Sequence, residues 1–176
     1  MNFPTPRIVD ATLATALTAG CDCVMLKHAG WPIAINVAQG VGNIYSNLGR
    51  YLDNGDRNVI ASVTPIEPLD ALMVGAKNLG PELTHVYLHD TWWMDGQDIQ
   101  HLTYRERFVL TRCNAKRFDD RFEPIWAMPI SAAPALWRKV MENPEKFKGL
   151  IFRRSKDTAA GELYVRRYYP QAPEEL

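Results

Sequence analysis

The stretch Thr84-His-Val-Tyr-Leu-His-Asp90-Thr-Trp-Trp-Met-Asp95-Gly96-Gln-Asp-Ile-Gln-His-Leu-Thr103-Tyr-Arg-Glu106-Arg-Phe-Val-Leu110 carries three local instructions in succession. Thr84 to Trp93 is rich in aromatic and β-branched residues, which fit a pleated surface, so it reads as a strand. Asp95-Gly96 reads as a turn, since glycine enters left-handed backbone without a Cβ clash. Thr103-Tyr-Arg-Glu106 has capping-box spacing, with Thr capping the third backbone N–H and Glu reaching back to the cap. A helix is expected from there to about Asn114.

Upstream, Asp10 to Thr18 has an acidic N-cap, apolar spacing and a stop at Ala19-Gly20, predicting a short helix. Cys23 to Lys27 and Trp31 to Val37 look like two strands joined tightly at His28-Ala-Gly30, which puts Lys27 at a strand end. Asn43 to Ser46 and Val59 to Val63 add strands around a turn-rich stretch. Leu69, Leu72, Met73 and Ala76 recur at helical spacing up to Asn78-Leu-Gly80, predicting a second helix.

Downstream, Phe122 to Ile130 reads as a strand interrupted by two prolines, and Ser131 as the cap of a helix through Met141. Gly149 to Arg153 and Leu163 to Tyr168 are the final strands. Antiparallel hairpins mixed with separate helices argue an α+β fold of antiparallel sheets with packed helices. No internal repeat or linker divides the 176 residues, so one domain over 1–176 is expected, with residues 1–9 and 171–176 as flexible ends.

Composition is that of a soluble globular protein, 47% apolar and 23% charged, which excludes disordered and fibrous classes. No apolar run approaches the roughly 20 residues needed to span a bilayer, and the N-terminus lacks signal-peptide character, so a cytoplasmic protein without membrane association is expected. Net charge is zero but unevenly spread: residues 1–100 hold 5 basic and 10 acidic side chains, and 101–176 hold 15 and 10. The basic C-terminal half favours a phosphate-bearing partner, because neutralising phosphates releases counterions. A solvated basic surface is the alternative.

Cys21, Cys23 and Cys113 form an odd set without zinc spacing, and read as buried thiols. His85 and His89 share a strand face, but no carboxylate triad accompanies them, so no metal site is expected. Lys27, between apolar strand residues, would have its charged form disfavoured by desolvation and its amine made more nucleophilic. Taken alone, it reads first as a surface lysine near a hairpin. Aromatic and basic residues interleave in Arg166-Arg-Tyr-Tyr169 and Phe147 to Arg154, a combination that binds nucleic acid by stacking and phosphate attraction, though core packing accounts for most such aromatics.

Lys27-His-Ala-Gly30, Ser46-Asn-Leu-Gly49, Asp90 to Arg107 and Lys148-Gly-Leu-Ile-Phe-Arg153 occur in that order, and the succession resembles the adenylation domain of ATP-dependent DNA ligases over about residues 20–170. That family shows a Lys-x-Asp-Gly motif, a Ser-Arg-Asn-Gly segment, a Phe-Asp strand running to an Asp-Gly-x-Asp-Leu turn and a helix, a Glu-Gly-Leu-Val motif with basic residues behind it, and a terminal Lys-x-Lys. The resemblance implies a ligase-type nucleotidyltransferase core, ATP-grasp-like, using ATP and Mg²⁺ if active. It implies Lys27 as the nucleophile that takes AMP, and Gly30, Ser46, Gly49, Arg153 and Arg166 around the nucleotide. Arg154, Lys156, Arg167 and Tyr168 would meet nicked or single-stranded DNA.

The departures fall on the chemistry. Ala29 stands where the nucleophile motif has Asp, Asn47 replaces the phosphate-facing Arg, and Lys148 replaces the metal-directed Glu, a change of two charge units. Tyr164 and Arg166 occupy the terminal lysine positions, and the Asp-Gly-Glu segment finds its match only in Glu82. The family's following OB-fold has no residues here. Three functions therefore stand as expectations: a degenerate ligase-like domain that binds nucleic acid or a protein partner; an active minimal nucleotidyltransferase forming lysyl-AMP on Lys27; and an interaction or structural protein on the same fold.

Overall fold

The computed structural model describes residues 8–46, 59–159 and 163–167. Two sheets build it. The first contains β1 (Ile8–Asp10), β2 (Cys23–His28), β10 (Met128–Pro129), β11 (Phe147–Arg153) and β12 (Leu163–Arg167), in the order β1-β12-β11-β2-β10. The second contains β3 (Trp31–Ala38), β4 (Val41–Ser46), β5 (Val59–Val63), β6 (Ala71–Lys77), β7 (Val86–Met94), β8 (Gln97–Asp98) and β9 (Phe122–Pro124), in the order β5-β4-β3-β6-β7-β8, with β9 alongside β7. Helices α1 (Leu13–Thr18) and α3 (Ala133–Glu142) cover one face of the first sheet, and α2 (Tyr104–Ala115) packs against β7. The α+β expectation holds.

Apolar patterning explains the layers. Ala16 of α1, Ala133, Trp137 and Val140 of α3, and Val24, Leu150 and Phe152 of the first sheet make one core. Ile33, Ile35 and Val37 of β3 and Met73, Val86 and Leu88 pack with Phe118 and Phe122 in a second. A third and smaller cluster lies between the sheets, where Met25 and Ile151 meet Tyr104 and Ile125. Each buried aliphatic side chain contributes about 1.5–3 kcal/mol.

The capping box forms as expected: the Thr103 N–H donates to Glu106 Oε2 at 2.8 Å, and α2 runs from Tyr104 to Ala115. Asp95 and Gly96, with φ of 49° and 80°, make the tight turn from β7 to β8.

Four expectations are corrected. The helix expected from Leu69 to Asn78 is strand β6, buried at every position. Its apolar run Ala71 to Ala76 lies on both faces of a central strand, and a short continuous run satisfies helical spacing by coincidence. Within the strand only glycine fits at position 75, since a Cβ there would lie 2.2 Å from the Tyr87 carbonyl oxygen. Asp10 does not cap α1; Thr12 does, and Asp10 instead ends β1, in which Ile8 and Val9 pair in parallel with Leu163 and Tyr164. Ser131 caps nothing: it lies in a 3₁₀ turn, Ile130–Ala132, that leads into α3. Finally, β2 and β3 are not partners; the Ala29-Gly30 turn carries the chain from one sheet to the other.

Candidate functional site

Side chains alternate along β2, so Lys27 shares the face of Cys23 and Met25, which pack between the sheets against Tyr104, Ile125 and Ile151. Lys27, registered against Gly149 of β11, therefore stands at the end of the inter-sheet gap, two residues before the crossing to the second sheet. Gly30 closes that crossing. A Cβ on it would lie 2.4 Å from the Lys77 carbonyl oxygen, so a packing constraint alone fixes the glycine. The Lys77 ammonium donates to the carbonyls of Asn78 and Gly80 at 2.9 and 2.7 Å and lies 4.8 Å over the Trp31 ring. Burial holds its pKa below the usual lysine range.

Two histidines lie near Lys27: His89 on β7, and His28 at the end of β2, on the face opposite Lys27 by the same alternation. The His28 ring stacks on Tyr87 at 3.8 Å and meets Phe147 edge-on at 5.1 Å. Burial pulls its pKa down to about 4, helped by the Lys139 charge. His89 falls to about 3, first through burial, then through the neighbouring His28, Arg153 and Lys27. Both rings are neutral at pH 7. Among the described residues, His28 Nδ1 and His89 Nε2 are buried without a hydrogen-bond partner.

Beneath them Asp90 of β7 takes two charges. Arg107 of α2 meets it side by side, and Arg153 of β11 donates to Oδ2 at 3.3 Å while its guanidinium carbon lies 4.1 Å over the Tyr104 ring. Arg107 also donates to the Leu102 carbonyl. The trio ties both sheets and α2 together and leaves one net positive charge. Thr91, Thr111 and Asn114 continue this polar seam between β7 and α2.

Lys27, Arg153 and the flanking histidines thus come together as one group. Arg153, expected at phosphates, has its guanidinium engaged by Asp90 and Tyr104. Arg154 bonds Asp157 at 2.8 Å, and Lys156 is exposed, both in the loop after β11. Ser46 ends β4 opposite Ile33; Arg166 and Arg167 lie on β12 opposite Leu150 and Gly149. Gly49 and Tyr168 lie outside the described residues. Lys148 is exposed, its ammonium donating to the Pro144 carbonyl. Glu82 is exposed in the loop before β7. Cys21 and Cys23 are buried thiols, pushed up to about 11 and about 12 mainly by burial, whereas Cys113 is exposed.

No family model and no curated protein sequence matches the chain. Solved structures do. The ligase domain of M. tuberculosis LigD superposes with a TM-score of 0.63 at 12% identity, over 94% of this chain and 59% of that one. A mycobacterial DNA ligase D complexed with ATP and MES gives 0.61 at 12%, over 96% and 61%. An Aquifex aeolicus protein designated an ATP-dependent DNA ligase gives 0.56 at 12%, over 93% and 49%. The chain has the fold of an ATP-dependent DNA ligase adenylation domain. It spans about three fifths of the length of the LigD structures it matches.

The described residues of this ligase fold hold no ready-made cluster of metal ligands. Among the described residues no three His, Cys, Asp or Glu side chains converge, and Asp90, next to His89 in sequence, is doubly paired. Among the described residues no helix is long and apolar enough to cross a membrane. Sequence reasoning weighed His89 only as a metal ligand with His85 and missed its place beside Lys27. It also missed Arg107 as the partner of Asp90. The signal was available: Asp90 and Arg107 flank a turn that folds α2 back onto β7.

Proposed function

We propose that this ligase-fold domain has lost efficient lysine adenylation and works as a pseudoenzyme in the cytoplasm, binding nucleic acid, nicked or single-stranded DNA above all, alone or with a protein partner. One observation supports the reading: Asp90, the carboxylate next to His89 on β7, is paired twice, with Arg107 and with Arg153. A triphosphate approaching Lys27 finds positive charge, and Asp90 is not free to hold Mg²⁺ against it. Attack of Lys27 Nζ on the α-phosphorus, with the bond to pyrophosphate breaking, then lacks the charge neutralisation the leaving group needs.

Intact-protein mass after incubation with ATP and Mg²⁺ or Mn²⁺ tests this. The expected mass is unchanged. A gain of one AMP, absent in Lys27→Ala, would overturn the reading. A labelled oligonucleotide supplies the second arm: its affinity should fall steeply with salt, as phosphate-dominated binding does.

The active alternative, ATP taken by Lys27 with a nucleic-acid acceptor, draws support from one feature. The unpartnered His28 Nδ1 and His89 Nε2 beside Lys27 are groups that a heteroaromatic base satisfies. The same mass measurement separates the two.

A further inference from the structure

Helix α2 is built in reverse of an ordinary surface helix. Its inward residues are Tyr104, Arg107, Thr111, Asn114 and Ala115, mostly polar and matched by Asp90 and Thr91 of β7. Its outward residues include Arg105, Val109, Arg112 and, at the C-cap, Lys116, which fall within about 60° of one another around the axis and extend about 16 Å along it. The helix holds a single acid, Glu106, and that side chain is turned back onto Thr103. The stripe is thus basic, with no acid of its own helix to neutralise it.

An aromatic lies beside it. Trp126, in the segment between β9 and β10, is 56% exposed, and the Arg112 guanidinium carbon sits 4.2 Å over its ring. Val109, 54% exposed, adds apolar surface to the same helix face. At the other end, the loop after β11 is fastened to the start of α2: the Tyr104 and Arg105 N–H groups donate to the carbonyls of Asp157 and Ser155 at 2.7 and 3.0 Å. That loop carries exposed Lys156, so the basic surface continues from Lys156 across Arg105, Arg112 and Lys116 to Trp126.

Apart from the Arg112–Trp126 stack, none of these side chains belongs to a buried core cluster. The core contacts of α2 come from its other face, and a tryptophan left more than half exposed contributes little to burial. Cations spaced along a line, with an indole stacked against a guanidinium at one end, match a single-stranded polynucleotide: phosphates lie along the cations and a base stacks on the ring. We infer that the outer face of α2, from Lys156 to Trp126, is a docking track for single-stranded nucleic acid, separate from the Lys27 gap. The inference rests on the nucleic-acid reading above and gives it a location.

Fluorescence anisotropy with labelled oligo(dT) and oligo(U) of about 16 nucleotides, at about 50 mM salt, tests it, with thermal melts confirming that each variant is folded. Trp126→Ala should weaken binding roughly tenfold, the worth of one stacked base. The combined variant Arg105→Glu, Arg112→Glu, Lys116→Glu should weaken it further and flatten the salt dependence. An equal charge reversal elsewhere, at exposed Arg138, Lys146 and Lys148, should leave affinity within about twofold. Tighter binding of oligo(dT) or oligo(U) assigns the track to DNA or RNA.

If the wild type binds and the Trp126 and α2 variants bind equally well, the track is wrong and nucleic-acid binding lies elsewhere. Equal losses in the α2 and control reversals mean diffuse charge attraction, which also overturns it. A wild type that binds a nicked duplex but neither oligonucleotide overturns the track alone, and one that binds none of the three removes the nucleic-acid reading itself and leaves a protein partner as the function of the domain.

Discussion

Arg107 grips Asp90 with two parallel hydrogen bonds, Nε to Oδ1 and Nη2 to Oδ2, both 2.9 Å, and neither side chain is more than 2% exposed. Charges this deeply desolvated hold only because each satisfies the other, and removal of one leaves its partner stranded.

The three members of this cluster should therefore be unequal. Asp90→Asn strands two cations and should cost about 3–5 kcal/mol in urea unfolding. Arg107→Met leaves Asp90 with Arg153 and should cost less. Arg153→Met, which removes a longer and partly exposed contact, should cost least. The reverse order would show that Arg153, not Arg107, is the main counter-ion.

Acid should weaken the fold through His28 and His89. Each has its folded pKa depressed by burial, to about 4 and about 3, so the unfolded chain takes up protons first. Their contribution is fully present above the unfolded value of roughly 6.5 and is lost as pH falls through the folded values, on the order of 3 kcal/mol for His28. Urea midpoints should drop between pH 7 and pH 4, and His28→Phe, which keeps a ring on Tyr87, should flatten the slope.

Gly30 and Gly75 should reject even a methyl group. Their Cβ positions lie 2.4 Å and 2.2 Å from main-chain carbonyl oxygens that cannot swing away. Alanine at either should cost about 3 kcal/mol or more. Alanine at Gly80, where φ is 101° but no atom lies within 4 Å, isolates the backbone cost. A milder loss at Gly30 than at Gly80 would contradict the packing explanation.

Much of the fold was legible because several instructions are local. Thr103 and Glu106 announce α2, and Asp95-Gly96 announces its turn, from residues in contact with one another along the chain. β6 was not legible, because Ala71 to Ala76 carries no polar residue to set a period, and only pairing with β3 and β7 decides its form. The site divides the same way. Lys27 was visible from its place at a strand end. The loss of a usable carboxylate at Asp90 was hidden, since its partners Arg107 and Arg153 meet it through tertiary packing.

The Ala29-Gly30 crossing also governs the order of assembly. All seven strands of the second sheet come from one unbroken segment, Trp31 to Pro124, mostly pairing with near neighbours in sequence. The first sheet is assembled from both sides of that segment, with Ile8 beside Leu163 and Lys27 beside Gly149. Long loops must close before such contacts form, so they come late. During synthesis the second sheet and α2 are complete while the first sheet still lacks β11 and β12. Until β11 arrives, Asp90 has one partner rather than two, and β2, with Lys27 on it, lacks the neighbour that fixes its register.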